Sequence, residues 1–292
     1  MQSESWEPDG WPDAAVGDTG SDISVLAGAT SGRGELRLGA RVFPLRRWMA
    51  RRHAVVGAEV AVTARLLDQL PVSPTVVIVV APDVAVGTVV DELLPAAHGM
   101  LPAHHRAAGP LTLGLASPDP VRAGTAGTLA MYNQHLDALP EAIVECVAAA
   151  RRCGLVTAHG NTVLLLQPFV PVSASAVVAA SPARDVPVRV DGRWGLTEAS
   201  SPADTFEISA DGATVREDLA WKPHANVVAH GGTRSVSLPV SWRSRYSLDR
   251  ATVRRLAALS RNAAVTAGRP LTLDVALGRR APVVLRCRPT RA

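Results

Sequence analysis

The chain is poor in aromatic residues and nearly devoid of lysine. Phe, Trp and Tyr make up 4% of its 292 residues, so Val, Leu and Ala must supply most of a core drawn from a hydrophobic content of 47%. Lys222 is the only lysine among the basic residues, a bias that a preference for GC-rich codons explains without any ligand. The net charge is only +4, and no arginine run is interleaved with aromatics, so nucleic-acid binding is not expected. Cysteine is scarce as well. Cys146, Cys153 and Cys287 form an odd, unpaired set, which argues against a disulfide framework and fits reduced thiols in a cytoplasmic protein. Long apolar runs are missing too. The most apolar stretch, TVVIVVAPDVAVGTVV, is broken by Pro82 and Asp83 and reads as a buried strand rather than a membrane span. The opening MQSESWEPDG is acidic and unlike a secretory signal. A soluble, cytoplasmic protein without a membrane partner is the expectation.

What is present is organised. Residues 1–22 are rich in Glu, Asp, Gly, Pro and Ser and read as a disordered acidic tail. RLGARVFPLRRWMARRH, from Arg37 to His53, reads as a helix with a basic side, and AVVGAEVAVTARLLDQL as a strand running into a helix. PTVVIVVA, PLTLGLAS and NTVLLLQPFVPVSASAVVAAS read as strands, the last with a bend after Gln167. LPEAIVECVAAARRCG has Pro140 and Glu141 in its first turn and Arg151, Arg152 and Gly154 at its end, as a helix should. PVRVDGRWG and DTFEISADGATVRED read as hairpin material, with Asp211-Gly212 as a turn signal. A second helix follows Ser247, a candidate N-cap, and closes at Gly268. Its stripe is Val253, Leu256, Ala257, Ser260, Ala263 and Ala264. Mixed strands and helices place the chain in the α/β or α+β class.

The last residues form a terminal hairpin. Leu271, Leu273, Val275 and Leu277 alternate with Thr272, Asp274 and Ala276. Val283, Leu285 and Cys287 alternate with Val284, Arg286 and Arg288. If the apolar set of each strand faces one core, Asp274, Arg286 and Arg288 share the other face. One carboxylate beside two guanidiniums can hold a metal and an oligophosphate, or can be an ion cluster.

Five segments in order resemble the N-terminal nucleotide-binding domain of the phosphoenolpyruvate synthase and pyruvate phosphate dikinase family. They are GARVFPL, TAGTLAMYNQHLDALPEAIVECV, VLLLQPFVPVSASAVVAASP, GRWGLTEASSPADTFEI and AGRPLTLDVALGRRAPVVLRCRPTRA. Lys222 also falls where that family often has a lysine. The resemblance runs from roughly Leu36 to the C-terminus and is carried mostly by residues after Leu164. It implies an α+β, ATP-grasp-like nucleotide-binding domain of two lobes, about 23–166 and 167–292. It implies ATP and Mg²⁺ as cofactors. It also implies a separate phosphohistidine-domain protein as partner, because this chain lacks that domain.

Carried over by the resemblance, Arg41, Gln167, Glu198, Arg286 and Arg288 would contact the nucleotide. Arg286 and Arg288 would act on the phosphates and Asp274 would hold the metal. Several positions depart from the family. Arg41 stands for a lysine, Thr272 for an aspartate, Asp274 for a glutamate, Arg286 for a glutamine and Thr197 for a glycine. The acidic residue and glutamine after the Ala-Gly loop are missing, with Thr128 and Ala130 nearby. A family arginine falls on Gly114 in one register and on Arg122 in another. His104-His105 reads as a solvated loop pair, and Ala123 to Thr128 as a loop able to cradle phosphate through backbone N–H groups. No His or Asp is placed near Ser173 or Ser175 to suggest a hydrolase triad. Two functions follow as expectations: the ATP-binding half of a split phosphotransferase, or a degenerate binding module or partner subunit that kept the fold.

Overall fold

In a computed structural model, residues 41–103, 109–119, 130–197, 201–229, 232–278 and 281–290 are described. The tail 1–22, His104, His105, Arg122, the loop Ala123 to Thr128 and Glu198 lie outside them.

The first lobe is built on a five-stranded antiparallel sheet of order β1-β2-β5-β3-β4. Its strands are β1 (Arg41–Pro44), β2 (Val76–Val80), β3 (Leu111–Leu115), β4 (Ala130–Gln134) and β5 (Thr162–Pro168). The central runs VVIVV, LTLGL and TVLLLQP are buried at every position, because helices cover both faces. On one side α2 (Leu139–Arg152) and the short helical segment Leu94–Met100 pack Ile143, Val147, Leu94 and Ala97 against Ile78, Leu113 and Leu164. On the other, α1 (His53–Arg65) and a 3₁₀ turn at Arg47–Arg51 pack Val56, Val60, Ala64 and Met49 against Val77, Val79 and Leu165.

The second lobe is a six-stranded antiparallel sheet of order β13-β12-β6-β7-β8-β9. Its strands are β6 (Ala174–Ala180), β7 (Val188–Trp194), β8 (Asp204–Ile208), β9 (Thr214–Asp218), β12 (Leu271–Leu277) and β13 (Val283–Pro289). A separate hairpin pairs β10 (His224–Ala229) with β11 (Gly232–Ser237). Here the strands alternate, since one face only is covered by helix. Ala176, Val178, Val190, Phe206, Leu271, Leu273 and Val275 meet α3 (Arg250–Ala267) through Val253, Leu256, Ala257, Ala263 and Ala264. Burying an apolar face of this kind removes roughly 25 cal/mol per Å² from the cost of folding and is the main force holding the lobe together.

The α+β class is as expected, and several local expectations change. Residues 41–44 are an edge strand, not helix. AVVGAEV is not strand but part of α1, helical on either side of a kink at Gly57, because Val56, Val60 and Ala61 are buried against the first sheet. PVRVDGRWG pairs antiparallel with β8, as hairpin material should, and β7 runs straight through Asp191-Gly192. A Cβ on Gly192 would lie 2.7 Å from Leu248, so glycine serves close packing there. Ser247 is not the N-cap of α3. Asp249 is, accepting from the Thr252 N–H at 2.7 Å, while Ser247 bonds Asp204. A bulge after Asp274 also shifts the terminal hairpin, so Val284 rather than Val283 or Leu285 joins Cys287 in the core. The hairpin around Asp211-Gly212, α2 with Pro140 in its first turn, and Gly268 closing α3 are found as expected.

Candidate interlobe site

A kink in α1 positions the site. Gly57 has φ +80°, and a Cβ there would sit 3.0 Å from the Ser117 carbonyl oxygen and 3.1 Å from the Pro118 Cα. That close approach lets the two carbonyls after β3 cap the continuing helix: the Ala58 N–H donates to Pro118 at 2.9 Å and the Glu59 N–H to Ser117 at 3.2 Å. The Ser117 N–H in turn donates to Glu59 Oε2 at 2.7 Å. The Glu59 carboxylate is thereby fixed in the interior, 1% exposed, on the side of α1 that meets β13.

Arg286 comes to it from the second lobe. Its Nε donates to Glu59 Oε1 and its Nη2 to Glu59 Oε2, both at 2.7 Å, and Nη2 also donates to the Leu115 carbonyl at 2.6 Å. Burial alone would pull the guanidinium pKa down, but the Glu59 carboxylate outweighs it and holds the value above the ordinary one. Around this pair, further bonds tie β13 to the first lobe. The Thr63 hydroxyl donates to the Glu59 and Cys287 carbonyls, and the Ser73 N–H and Val284 N–H complete a short parallel bridge along the edge of β13.

Asp274 and Arg288 form the next pair. They are ion-paired within the hairpin, and at 14% and 11% side-chain exposure they are less enclosed than Glu59 and Arg286. Asp274 lies opposite Arg286 in register and Thr272 opposite Arg288, so the shared face inferred from alternation is present despite the bulge. Tyr132 on β4 lies against the group. Burial, then the nearby Asp274 carboxylate, pushes its phenol pKa up.

The other expected residues fall as follows. Gln167 is buried, and its amide donates to Thr75 Oγ1 at 2.7 Å and to the Leu285 carbonyl at 2.8 Å, which makes it a tie between the lobes. Arg41 stands at the start of edge strand β1 opposite Val79, and no bond among the described residues joins it to the hairpin arginines. At Gly114 a Cβ would meet nothing within 4 Å among the described residues. Lys222 is buried, paired with Asp204 inside the second lobe and bonded to the Ala220 carbonyl.

The space beside Glu59, Thr63, Thr75, Gln167 and Arg286 is about 10 Å³, at the limit of what one water needs. A larger hollow of about 520 Å³, walled by Trp194, Phe206 and Tyr246, lies on the opposite, α3-facing side of the second sheet. The fit to Mg²⁺ is poor. Asp274 is engaged by Arg288, and no group of three or more His, Cys, Asp and Glu able to hold a metal occurs among the described residues. No helix among them is long and apolar enough to cross a membrane.

Glu59, Ser117 and Tyr132 were not among the expected site residues. For Glu59 a signal existed: it is the only charge in the apolar run AVVGAEVAVTA. Ser117 acts through its backbone, which no side-chain pattern reveals.

No protein-family model and no curated protein matches the chain. Solved structures resemble it at low identity. The dinucleotide forming acetyl-coenzyme A synthetase 1 of Ca. Korarchaeum cryptofilum, in complex with coenzyme A, Ca-AMPCP and HgCl+, is 11% identical. The match covers 87% of this chain and 94% of that one, at a TM-score of 0.40. The same synthetase with coenzyme A, acetyl-coenzyme A and a phosphorylated phosphohistidine segment is 12% identical, covering 83% and 96%, at 0.36. The ATP-grasp ligase PsnB, complexed with minimal precursor, is 13% identical, covering 82% of this chain and 55% of that one, at 0.32. Likeness at this level carries no inference about activity or ligands. The two-lobed α+β architecture rests on the elements described above.

Proposed function

We propose that the chain is a degenerate ATP-grasp-like module, a non-catalytic nucleotide-type binding domain or partner subunit. Its phosphate-handling positions have been turned to holding the lobes together. The observation that carries this reading is the bidentate Glu59–Arg286 pair across the lobes, with about 10 Å³ of room beside it. A triphosphate needs free arginines and a metal at the moment of transfer. In this chain Arg286 is spent on Glu59 and Arg288 on Asp274, and no group of three or more His, Cys, Asp and Glu able to hold a metal occurs among the described residues.

A phosphotransferase that relies on a separate phosphohistidine-domain protein is the second reading. What favours it is that the Asp274 side chain is 14% exposed and that a Cβ at Gly114 would meet nothing within 4 Å among the described residues. In that case Arg41, Gln167, Glu198, Arg286 and Arg288 would hold ATP, and Asp274 would hold Mg²⁺.

Calorimetric titration of ATP with and without Mg²⁺, followed by assay for AMP and phosphate release, separates the two. The degenerate reading expects no Mg²⁺-dependent binding and no release. It also expects Glu59→Gln, which weakens the hold on Arg286, to raise ATP affinity about tenfold, as one charge-assisted bond is worth. Mg²⁺-dependent binding by the wild-type chain, with AMP and phosphate produced, overturns it in favour of phosphoryl transfer.

A further inference from the structure

On the polar face of the second sheet, Arg193 makes no ion pair with a carboxylate among the described residues. Ser175 on β6 and Arg193 on β7 lie opposite each other in strand register, next to the row that holds Asp274. Ser175 is 3% exposed, and its hydroxyl oxygen has no hydrogen-bond partner among the described residues. Arg193 Nε donates to the Ser201 carbonyl at 3.0 Å, and its buried Nη1 has no acceptor among the described residues. The two carboxylates that act most on its charge are already bonded to other arginines. Asp191 accepts from Arg189 at 2.9 and 3.1 Å and from the Thr205 hydroxyl at 2.8 Å, and Asp274 is paired with Arg288.

A buried polar atom without a partner is costly, and more so when it belongs to a charged group. Burial also lowers the Arg193 pKa, the mark of a charge only partly compensated. A hydroxyl and a guanidinium N–H on residues paired across two strands are donors of the kind an oxyanion takes.

We propose that Arg193 and Ser175 form a subsite for a small oxyanion, the phosphoryl or carboxylate group of a ligand, on the polar face of the second sheet. Arg193 Nη1 and Ser175 Oγ each donate to one of its oxygens. The subsite stands on these two residues and requires neither a nucleotide nor a metal, so it does not depend on the reading above.

The test is calorimetry on the full chain with inorganic phosphate and, separately, with acetate, each against chloride at equal ionic strength. Saturable binding of either anion is expected. It should fall at least tenfold in Arg193→Gln and several-fold in Ser175→Ala, with Arg193→Lys between wild type and Arg193→Gln. Phosphate alone would mark a phosphoryl site and acetate alone a carboxylate site. Absence of saturable binding, or wild-type affinity in a folded Arg193→Gln chain, overturns the proposal. Should Arg193→Gln fail to fold, anomalous diffraction from wild-type crystals soaked in selenate decides: a peak between Arg193 and Ser175 supports the subsite, and a single bridging water overturns it.

Discussion

The two lobes solve the same burial problem differently. In the first, helices cover both faces of the sheet, and β2, β3 and β5 are apolar and buried from end to end. In the second, α3 covers one face, and β7 and β8 alternate between buried and partly exposed positions. A sheet buried on both sides has little room for charge. The second sheet therefore carries Asp274, Arg286, Arg288, Ser175 and Arg193 on its polar face, while the first lobe offers Glu59, Tyr132 and the backbone of Leu115 and Ser117. Whatever chemistry the chain performs is decided by what the first lobe leaves unpaired on the second.

The severest way to break that arrangement is Glu59→Ala. It leaves Arg286 buried without a carboxylate, and a loss of about 3–5 kcal/mol in urea unfolding is expected. Replacing both partners with methionine should recover most of that loss, which would show that the pair specifies the junction more than it stabilises it. A loss under about 1 kcal/mol for Glu59→Ala would mean that the junction is not closed by this pair.

Gly57→Ala acts on the same junction through the backbone. Its positive φ and the 3.0 Å approach to the Ser117 oxygen predict a loss of roughly 1–3 kcal/mol. Amide exchange should speed up at Ala58, Glu59 and Ser117 before it does in α3.

A third comparison uses pH. Burial pushes the Cys146 thiol in the first lobe from an ordinary 9.0 to about 11. The raised value means that the unfolded chain ionises first. Stability is therefore unaffected below about pH 9 and falls as pH climbs toward 11, by about 2 kcal/mol from this group. Cys146→Ala should flatten part of that slope. In the native chain a maleimide should label the exposed Cys153 rapidly and spare Cys146 and Cys287, which are buried.

The smallest effect belongs to the second lobe alone. Asp249→Ala removes the N-cap of α3 and should cost about 1 kcal/mol, leaving ATP and phosphate titrations unchanged. A change in anion binding there would show that α3 and the polar face of the sheet are coupled.

Much of the second lobe was legible in the sequence. Alternation in LTLDVAL placed Leu271, Leu273 and Val275 on the core side and Asp274 on the other, and the stripe from Val253 to Ala264 identified the buried face of α3. These are local periodicities, set by neighbours two to four residues apart. The first lobe was harder to read. Residues 41–44 became a strand only because β2 offers its edge, and the run from Val55 to Val62 became helix on either side of the Gly57 kink only because packing against the first sheet buries Val56, Val60 and Ala61. Propensity is a weak guide when tertiary burial opposes it.

The sequence alone determined which residues can carry charge at the terminal hairpin and on which side of the strands they lie. Only the tertiary structure decided their partners. Arg286 and Glu59 are 227 positions apart, and nothing in either local pattern points to the other. A buried charge takes whichever counter-charge the packed chain brings within hydrogen-bond reach. For Arg286 that is Glu59, for Arg288 it is Asp274, and Arg193 is left with a buried N–H and no acceptor among the described residues.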